Sequence, residues 1–387
     1  MGLAIFKYSI INRTGERILG EATSIDSIGA AGIAKVVGAD HTCSLFRAED
    51  KSLHPLPATI EGKRALYVAN PYCPASYMIV GYCLEEKRDG QTESLLDCSL
   101  LPENTCAVSS FTLDAEMNLL SKPVPYNLDG FEHSGSTTLA RDVHEHLYLI
   151  GRKGDILRQF PAEWQHEGHA YDDNHNVSEL IFSKITGNSA EYVQEGTLRR
   201  QIIYRLGIEQ DVVCGPYTEI DELSEGIRYV RGVDGLIRCV DKDFNTLFPT
   251  SHQRKYPWFA TISPCCHGHV AFTTGQKAGL LNKAGDIVVK PKFSHISHIH
   301  GPYWWYQKGR KYGILHESGE LITEALYFAC PYFGHEFGSG IVPAGTTVKR
   351  KEKWGYIDLT GQWVIPPQFD LCYGFHHRDF AIVRDEI

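Results

Sequence analysis

Histidine pairs two residues apart are the residues of this sequence best suited to metal chemistry. The chain has 18 histidines, and His267 with His269 and His298 with His300 show this spacing. Residues two apart in a β-strand point to one face of the sheet, and protein zinc sites take three or four ligands. These four side chains are therefore predicted to hold zinc if they converge. Otherwise they are structural histidines and the chain needs no cofactor.

The run from Tyr303 to Tyr306 is the strongest aromatic candidate for a contact surface. Its sequence is Tyr-Trp-Trp-Tyr, and tyrosine and tryptophan dominate the energetics of many binding surfaces. Alternation along a strand places Tyr303 and Trp305 on one face and Trp304 on the other. At most half of these rings are then exposed for binding. The alternative interpretation is a core strand that is covered on both faces.

Sequence motifs for catalysis are absent. The chain has no G-x-S-x-G nucleophile motif, no G-x-x-x-x-G-K-[ST] phosphate loop and no H-E-x-x-H. Its eleven cysteines include no C-x-x-C pair, which argues against a zinc ribbon and a thioredoxin-type redox site. We therefore predict no catalytic residue and regard an enzyme as the less favoured class.

The elements that carry these residues follow a repeat near the C-terminus. Three segments share an apolar strand, a polar residue and a second apolar run, with two glycines at fixed places: Gly279 and Gly285, Gly313 and Gly319, Gly355 and Gly361. Glycine adopts the positive φ of a tight hairpin turn without steric cost. The second glycine of each pair is therefore predicted to close a β-hairpin. Gly15 and Gly154 occupy the same place in more divergent upstream copies.

The segment 354–370 resembles the WG repeat, a bacterial repeat named for its Trp-Gly pair. It begins with Trp354-Gly355 and reaches two prolines after its second apolar run. Ala278 and Tyr312 replace the tryptophan in the neighbouring copies. The resemblance implies a bacterial protein with a β-repeat fold, and it implies no particular catalytic residue.

Each repeat unit combines a hairpin with one further apolar strand. One such unit cannot bury its apolar face alone, so the units must stack. We predict an all-β fold in which tandem three-strand β-hairpin repeats stack as a propeller-like ring or an open curved solenoid. Divergent repeats occupy residues 1–140, degenerate copies 141–260 and well-formed copies 261–387, or the three form one continuous array.

A long departure from the repeat follows Trp164. That residue and Tyr171, Asp172 and Asp173 mix aromatic and acidic groups, and variable segments on a regular scaffold often carry binding. These four residues are therefore predicted to contact a partner. The alternative is a solvated insertion.

Charge and hydropathy restrict the class of partner. There are 47 acidic and 38 basic residues, which give a net charge of −9 and argue against nucleic acid as a partner. The basic run 349–353 is predicted to be a solvated loop. The longest apolar stretch is far shorter than the ~20 residues of a membrane helix, and no secretory signal is visible. We therefore expect a cytoplasmic chain without a membrane partner, in which the odd number of cysteines remains reduced.

The function favoured by these observations is a non-catalytic interaction scaffold that binds another protein. One version of it is a component of an inter-bacterial toxin, immunity or defence system. Two alternatives remain. A metal-dependent hydrolase or ligand-binding protein would use the histidine pairs, and a glycan-binding module would use the aromatic run.

Overall fold

The structure is a computed structural model, and β-strands are the regular secondary structure of the residues that it describes. These are residues 6–26, 32–40, 42–68, 79–90, 93–96, 101–114, 116–120, 122–128, 137–151, 153–171, 177–184, 201–206, 210–215, 217–221, 223–232, 234–248, 259–329, 340–375 and 379–386. The predicted all-β class is confirmed. Within these ranges there is no helix with the length and apolar character needed to cross a membrane.

Nine small antiparallel sheets contain these strands. Sheet 1 contains β3 (Ser24–Ile25), β4 (Ile33–Val37), β5 (Cys43–Arg47) and β6 (Ser52–Pro55). Sheet 2 contains β7 (Thr59–Ile60), β8 (Lys63–Val68), β9 (Ile79–Glu86) and β10 (Thr105–Leu113). Sheet 3 contains β11 (Asn127–Leu128), β12 (Thr137–Arg141), β13 (Leu147–Gly151) and β14 (Ile156–Gln159). Sheet 4 contains β15 (Trp164–Tyr171), β16 (Val177–Lys184), β17 (Gln201–Arg205) and β18 (Gln210–Cys214).

The C-terminal half continues the series. Sheet 5 contains β19 (Tyr217–Ile220), β20 (Ile227–Gly232), β21 (Ile237–Asp241) and β22 (Thr246–Phe248). Sheet 6 contains β23 (Phe259–Ile262), β24 (His269–Thr274), β25 (Lys277–Asn282) and β26 (Ile287–Phe293). Sheet 7 contains β27 (His295–His300), β28 (Tyr303–Lys308) and β29 (Lys311–His316), and sheet 8 contains β30 (Phe328–Ala329), β31 (Ile341–Val348), β32 (Lys351–Asp358) and β33 (Trp363–Phe369). After β34 (Leu371–Cys372), β35 (Phe380–Glu386) joins β1 (Phe6–Asn12) and β2 (Arg17–Ala22) in sheet 9.

In each of sheets 1–8, strands that are consecutive in the chain are neighbours in the sheet. Small meandering sheets that follow one another along a chain are the architecture of the β-propeller type. In sheet 9, β1 pairs with β35 from Phe6 opposite Glu386 to Asn12 opposite Phe380, so the first and last strands lie in one sheet. Most sheets contain the predicted three-strand unit and one further strand.

The chain forms two compact units. Unit 1 consists of Met1–Asn12, Glu16–Ala162 and His376–Ile387, and unit 2 of Arg13–Gly15 and Glu163–Phe375. In unit 1, Leu45 of sheet 1 and Phe111 of sheet 2 belong to one buried cluster. In unit 2, Leu280 of sheet 6 and Trp304 of sheet 7 do the same. In both units the apolar core therefore lies between consecutive sheets.

The first glycine of each repeat lies where there is no room for a side chain. A Cβ at Gly279 would lie 2.4 Å from the carbonyl oxygen of Val289, and one at Gly355 would lie 2.3 Å from that of Ile365. At Gly313 it would lie 2.7 Å from the ring of Tyr306. Real Cβ contacts are longer than these distances, so an alanine would force the strands apart.

The second glycine of each repeat closes a five-residue turn after the third strand, which we call the closing turn. In sheet 6 the amide of Gly285 donates to the carbonyl of Asn282 (2.9 Å), and the amide of Asn282 donates to that of Asp286 (2.9 Å). Sheets 7 and 8 repeat both bonds. Five predicted turn glycines have positive φ: Gly15 (83°), Gly154 (82°), Gly285 (88°), Gly319 (92°) and Gly361 (85°).

The basic run 349–353 is part of a hairpin, which corrects the prediction of a solvated loop. Lys351 and Lys353 lie in β32 and pair with Val348 and Thr346 of β31. Lys349 and Arg350 form the two-residue turn between these strands, with φ values of 49° and 68°. The sequence predicted a loop because charge alone does not show that a strand continues outward into solvent.

Candidate functional site

The predicted metal ligands His267 and His269 meet at a carboxylate that the sequence analysis did not identify. His267 Nδ1 lies 2.6 Å from Glu317 Oε2, and His269 Nδ1 lies 3.4 Å from the same oxygen. His269 Nδ1 also donates to the carbonyl of His267 (2.9 Å). The His267 side chain is 52% exposed and the Glu317 side chain 23%. The group is therefore a partly open hydrogen-bonded triad on the surface of unit 2.

The other predicted pair has different partners. His298 Nε2 donates to the carbonyl of Gly301 (2.8 Å), and its ring packs edge-on against Trp304 at 4.9 Å. His300 is the β27 residue opposite Tyr303 of β28. Among the side chains that the structure describes, no group of three or more His, Cys, Asp or Glu is arranged to hold a metal ion.

The triad belongs to a contact that recurs between consecutive sheets. His267 begins the two-residue turn between the first and second strands of sheet 6, and Glu225 begins the same turn in sheet 5. Glu317 is the second residue of the closing turn of sheet 7, and Lys283 holds that place in sheet 6. Lys283 Nζ approaches Glu225 Oε2 (3.9 Å) and donates to the Glu225 carbonyl. The closing turns of sheets 6 and 7 therefore each reach the first turn of the preceding sheet, and we call these two contacts the turn-to-turn contacts.

Glu225 is the more fully engaged of the two acidic residues. Its Oε2 accepts from the amide of Gly268 (2.8 Å) and from the thiol of Cys265 (3.4 Å). Burial raises the pKa of Cys265, and the nearby Glu225 carboxylate raises it further. That thiol therefore stays protonated and acts as a donor, because a reactive cysteine needs a lowered pKa.

The two turn-to-turn contacts attach neighbouring sheets to each other and leave polar atoms partly exposed. In both contacts a side chain of one sheet binds a turn of the neighbouring sheet. The two turns occupy the same places in the repeat, but their side chains differ. The pairs are Lys283 with Glu225 and Glu317 with His267. Fixed positions with varied chemistry suit recognition of another molecule.

The aromatic run lies in the core, which corrects its assignment as a binding surface. Trp304 and Trp305 are both 0% exposed, and Tyr303 is half-buried. Trp304 belongs to the cluster between sheets 6 and 7, and Trp305 to that between sheets 7 and 8. Alternation along β28 did separate the two indoles onto opposite faces, but a neighbouring sheet covers each face.

The predicted contact segment after Trp164 is described only in part. The Trp164 ring lies 5.3 Å from that of Phe182 in the next strand and is half-buried. The backbone of Tyr171 lies at the end of β15. Asp172 and Asp173 lie outside the described residues, and their predicted contact with a partner stays a prediction.

Comparison with protein families gives two matches to the family described as WG containing repeat. They cover residues 279–312 and 354–386. These matches begin at or next to the first glycines of sheets 6 and 8, where the repeat pattern was found in the sequence. Among curated proteins no match is found.

Solved structures resemble the chain in fold at low sequence identity. The structure titled as the crystal structure of the eukaryotic initiation factor has a TM-score of 0.57 and 10% identity, over 99% of this chain and 98% of that chain. The β-propeller domain of the Trilobed protease from Pyrococcus furiosus has a TM-score of 0.38 and 9% identity, over 89% and 97%. BamB from Moraxella catarrhalis has a TM-score of 0.35 and 9% identity, over 82% and 90%. The first of these likenesses concerns the fold alone.

Proposed function

We propose that this protein is a non-catalytic scaffold that binds another protein. The observation that carries the proposal is the pair of turn-to-turn contacts between sheets 5, 6 and 7. The backbone hydrogen bonds of the closing turns are the same in sheets 6–8. The partly open positions change from Glu225 to His267 on the first turns and from Lys283 to Glu317 on the closing turns. Repeat scaffolds bind in this way, through variable side chains on a constant backbone.

The two predicted histidine pairs have separate partners, which supports the scaffold over a metal-dependent hydrolase. His267 and His269 direct Nδ1 to Glu317, and His298 directs Nε2 to the carbonyl of Gly301. A zinc site takes three or four ligands, and no such group is found among the side chains that the structure describes.

The eight described cysteines support a cytoplasmic location, which we propose as well. All eight are present as thiols, and six of them are buried. Reduced thiols persist in reducing compartments.

A role in an inter-bacterial toxin, immunity or defence system is the more specific form of the proposed scaffold function. Identification of the partner protein tests it.

Affinity capture followed by reconstitution tests the scaffold. The immobilised chain should capture a protein from lysate of its own cells, and that protein, once purified, should rebind with a Kd of about 1 μM or tighter, which corresponds to about 8 kcal/mol. An acidic β-protein of similar net charge serves as the control. If no captured protein rebinds the purified chain, the proposal is wrong.

A metal-dependent hydrolase or ligand-binding protein is tested on the same preparation. Zinc content is measured after expression with added zinc and dialysis, for the wild type and for His267→Ala/His269→Ala. Zinc retained at one equivalent by the wild type and lost by the variant would favour the metal alternative over the scaffold.

A further inference from the structure

Three neighbouring hairpins of unit 2 carry a cluster of basic residues at their tips. These hairpins join the second and third strands of sheets 6, 7 and 8. Seven basic residues lie in the two-residue turns or in the pairs next to them, and we call them the basic tips: Lys277, Lys308, Arg310, Lys311, Lys349, Arg350 and Lys351.

The three tips lie on one face of unit 2. The closing turns of sheets 7 and 8 both lie against the outer edge of the preceding sheet, because a Cβ at Gly319 would be 3.4 Å from Val289 and one at Gly361 would be 2.4 Å from Thr323. Consecutive sheets are therefore stacked in the same orientation. Antiparallel strands place the second hairpin at the opposite end of each sheet from the closing turn, so the basic tips are grouped together.

The hairpin of sheet 8 extends beyond the other two. In sheets 6 and 7 the ladder ends two pairs after the repeat glycine, at Thr274 opposite Lys277 and at Lys308 opposite Lys311. In sheet 8 it continues for four pairs after Gly355, to Val348 opposite Lys351. At ~3.4 Å per residue, two additional pairs extend this tip by about 7 Å.

The turn at this tip has an unfavourable conformation for its residues. Lys349 and Arg350 both have positive φ, where glycine or asparagine is favoured. Strain of this kind concentrates at functional positions. Lysine and arginine thus occupy the two turn positions at which Asn-Gly would be more stable.

The charges of the basic tips are not neutralised by any carboxylate that the structure describes. None of the seven forms an ion pair with a residue that the structure describes, and all but Lys311 are exposed. The Lys311 ammonium lies 3.4 Å from the centre of the Phe328 ring. Seven unneutralised cations on one face contrast with a chain whose net charge is −9.

We propose that the basic tips form a docking surface for a short acidic segment of a partner protein. The inference rests on the proposed scaffold function and names the surface and the partner class. A short acidic segment fits because a long polyanion would extend from the tips onto a surface whose overall charge is negative. The four-residue tips 274–277, 308–311 and 348–351 contain no aromatic residue, so they lack the stacking groups that single-stranded nucleic acid uses.

Fluorescence anisotropy with a labelled glutamate-rich peptide tests this surface. The test variant is Lys308→Glu/Arg310→Glu/Lys349→Glu/Arg350→Glu. The matched control reverses four exposed lysines outside the tips, which are Lys51, Lys122, Lys153 and Lys242, and it changes the net charge equally. We expect peptide binding to weaken about tenfold or more in the test variant, because each lost exposed ion pair lowers affinity modestly. In the control we expect a change within about twofold, because screening weakens distant charges.

A second variant separates the loss of charge from a loss of fold. Lys349→Asn/Arg350→Gly removes two charges and introduces a turn that suits the backbone. It should weaken peptide binding about threefold while leaving the melting temperature at or above that of the wild type. Unchanged binding by this variant and by the four-residue test variant would overturn the proposal.

The remaining outcomes identify other partners. Single-stranded RNA of equal charge, or vesicles with phosphatidylserine, are tested under the same salt conditions. Tighter binding of either one than of the peptide, dependent on the same tips, would overturn the acidic-segment proposal. A reconstituted protein partner that binds the test variant as well as the wild type would overturn this surface but leave the scaffold function standing.

Discussion

Glu317 Oε2 and His267 Nδ1 lie 2.6 Å apart and join the closing turn of sheet 7 to the first turn of sheet 6. One sheet earlier, Lys283 and Glu225 occupy the same two positions. The acidic residue thus lies on the first turn in one contact and on the closing turn in the other. The two turns meet in both contacts although the acidic residue changes place, so the contact between sheets does not depend on one particular pair of side chains.

A double-mutant cycle should measure the coupling between Glu317 and His267. We expect Glu317→Gln and His267→Asn to show a coupling energy of about 0.5–1 kcal/mol in urea unfolding, because both side chains are partly exposed. Glu317→Gln with Lys242→Gln serves as the control pair and should be additive. Additivity of the His267 pair would show that the contact contributes nothing to stability.

Gly361→Val should destabilise the chain by about 3 kcal/mol or more, because it combines backbone strain with steric overlap. Gly361 has φ of 85°, and a Cβ there would lie 2.4 Å from Thr323 Cγ2 and 3.0 Å from Tyr327 Oη. Thermal unfolding measures the effect. Gly309→Ala is the control, since its φ is also positive but no atom lies within 4 Å of its Cβ position. It should cost about 1 kcal/mol. Equal costs at the two sites would refute the assigned packing at Gly361.

The closing turns could be predicted from the sequence, but their contacts could not. Few residues tolerate positive φ, so a glycine that recurs between two apolar runs indicates the turn by itself. The partner of His267 is 50 residues away in the chain. Glu317 occupies a turn position where Lys283 and Leu359 occur in the neighbouring sheets, so residue type carries no signal for this contact. It follows only from the stacking of sheets.

The burial of Trp304 and Trp305 likewise could not be predicted from the residue pattern of one strand. Alternation predicts which side chains share a face but not what covers that face. In β28 both faces are covered, by the clusters that contain Leu280 and Ile314. A strand between two stacked sheets is apolar on both sides, and Trp-Trp in sequence is consistent with that arrangement.

Lys349→Asn/Arg350→Gly should stabilise the chain by about 1 kcal/mol. Both residues have positive φ, and Asn-Gly is the preferred pair in a two-residue hairpin turn of this kind. The free energy of unfolding in urea measures the gain. Thr274→Asn, beside the turn of sheet 6, is a control that should leave stability within ~0.5 kcal/mol. A loss of stability in the Asn-Gly variant would mean that the tip does not adopt this turn.

Cysteine labelling should distinguish the buried thiols of unit 2 from its partly exposed one. Burial raises the pKa of Cys214 to about 11 and that of Cys239 to about 11. At pH 8 only about one thiol in a thousand is then a thiolate, and the thiolate is the nucleophile. Cys266 is half-buried and should react with iodoacetamide first, as peptide mass spectrometry resolves each site. Raising the pH toward 11 should increase labelling of Cys214 and Cys239, and unfolding in guanidinium should make all three equally reactive. Labelling of Cys214 or Cys239 at the rate of Cys266 in the native chain at pH 8 would contradict their placement in the core.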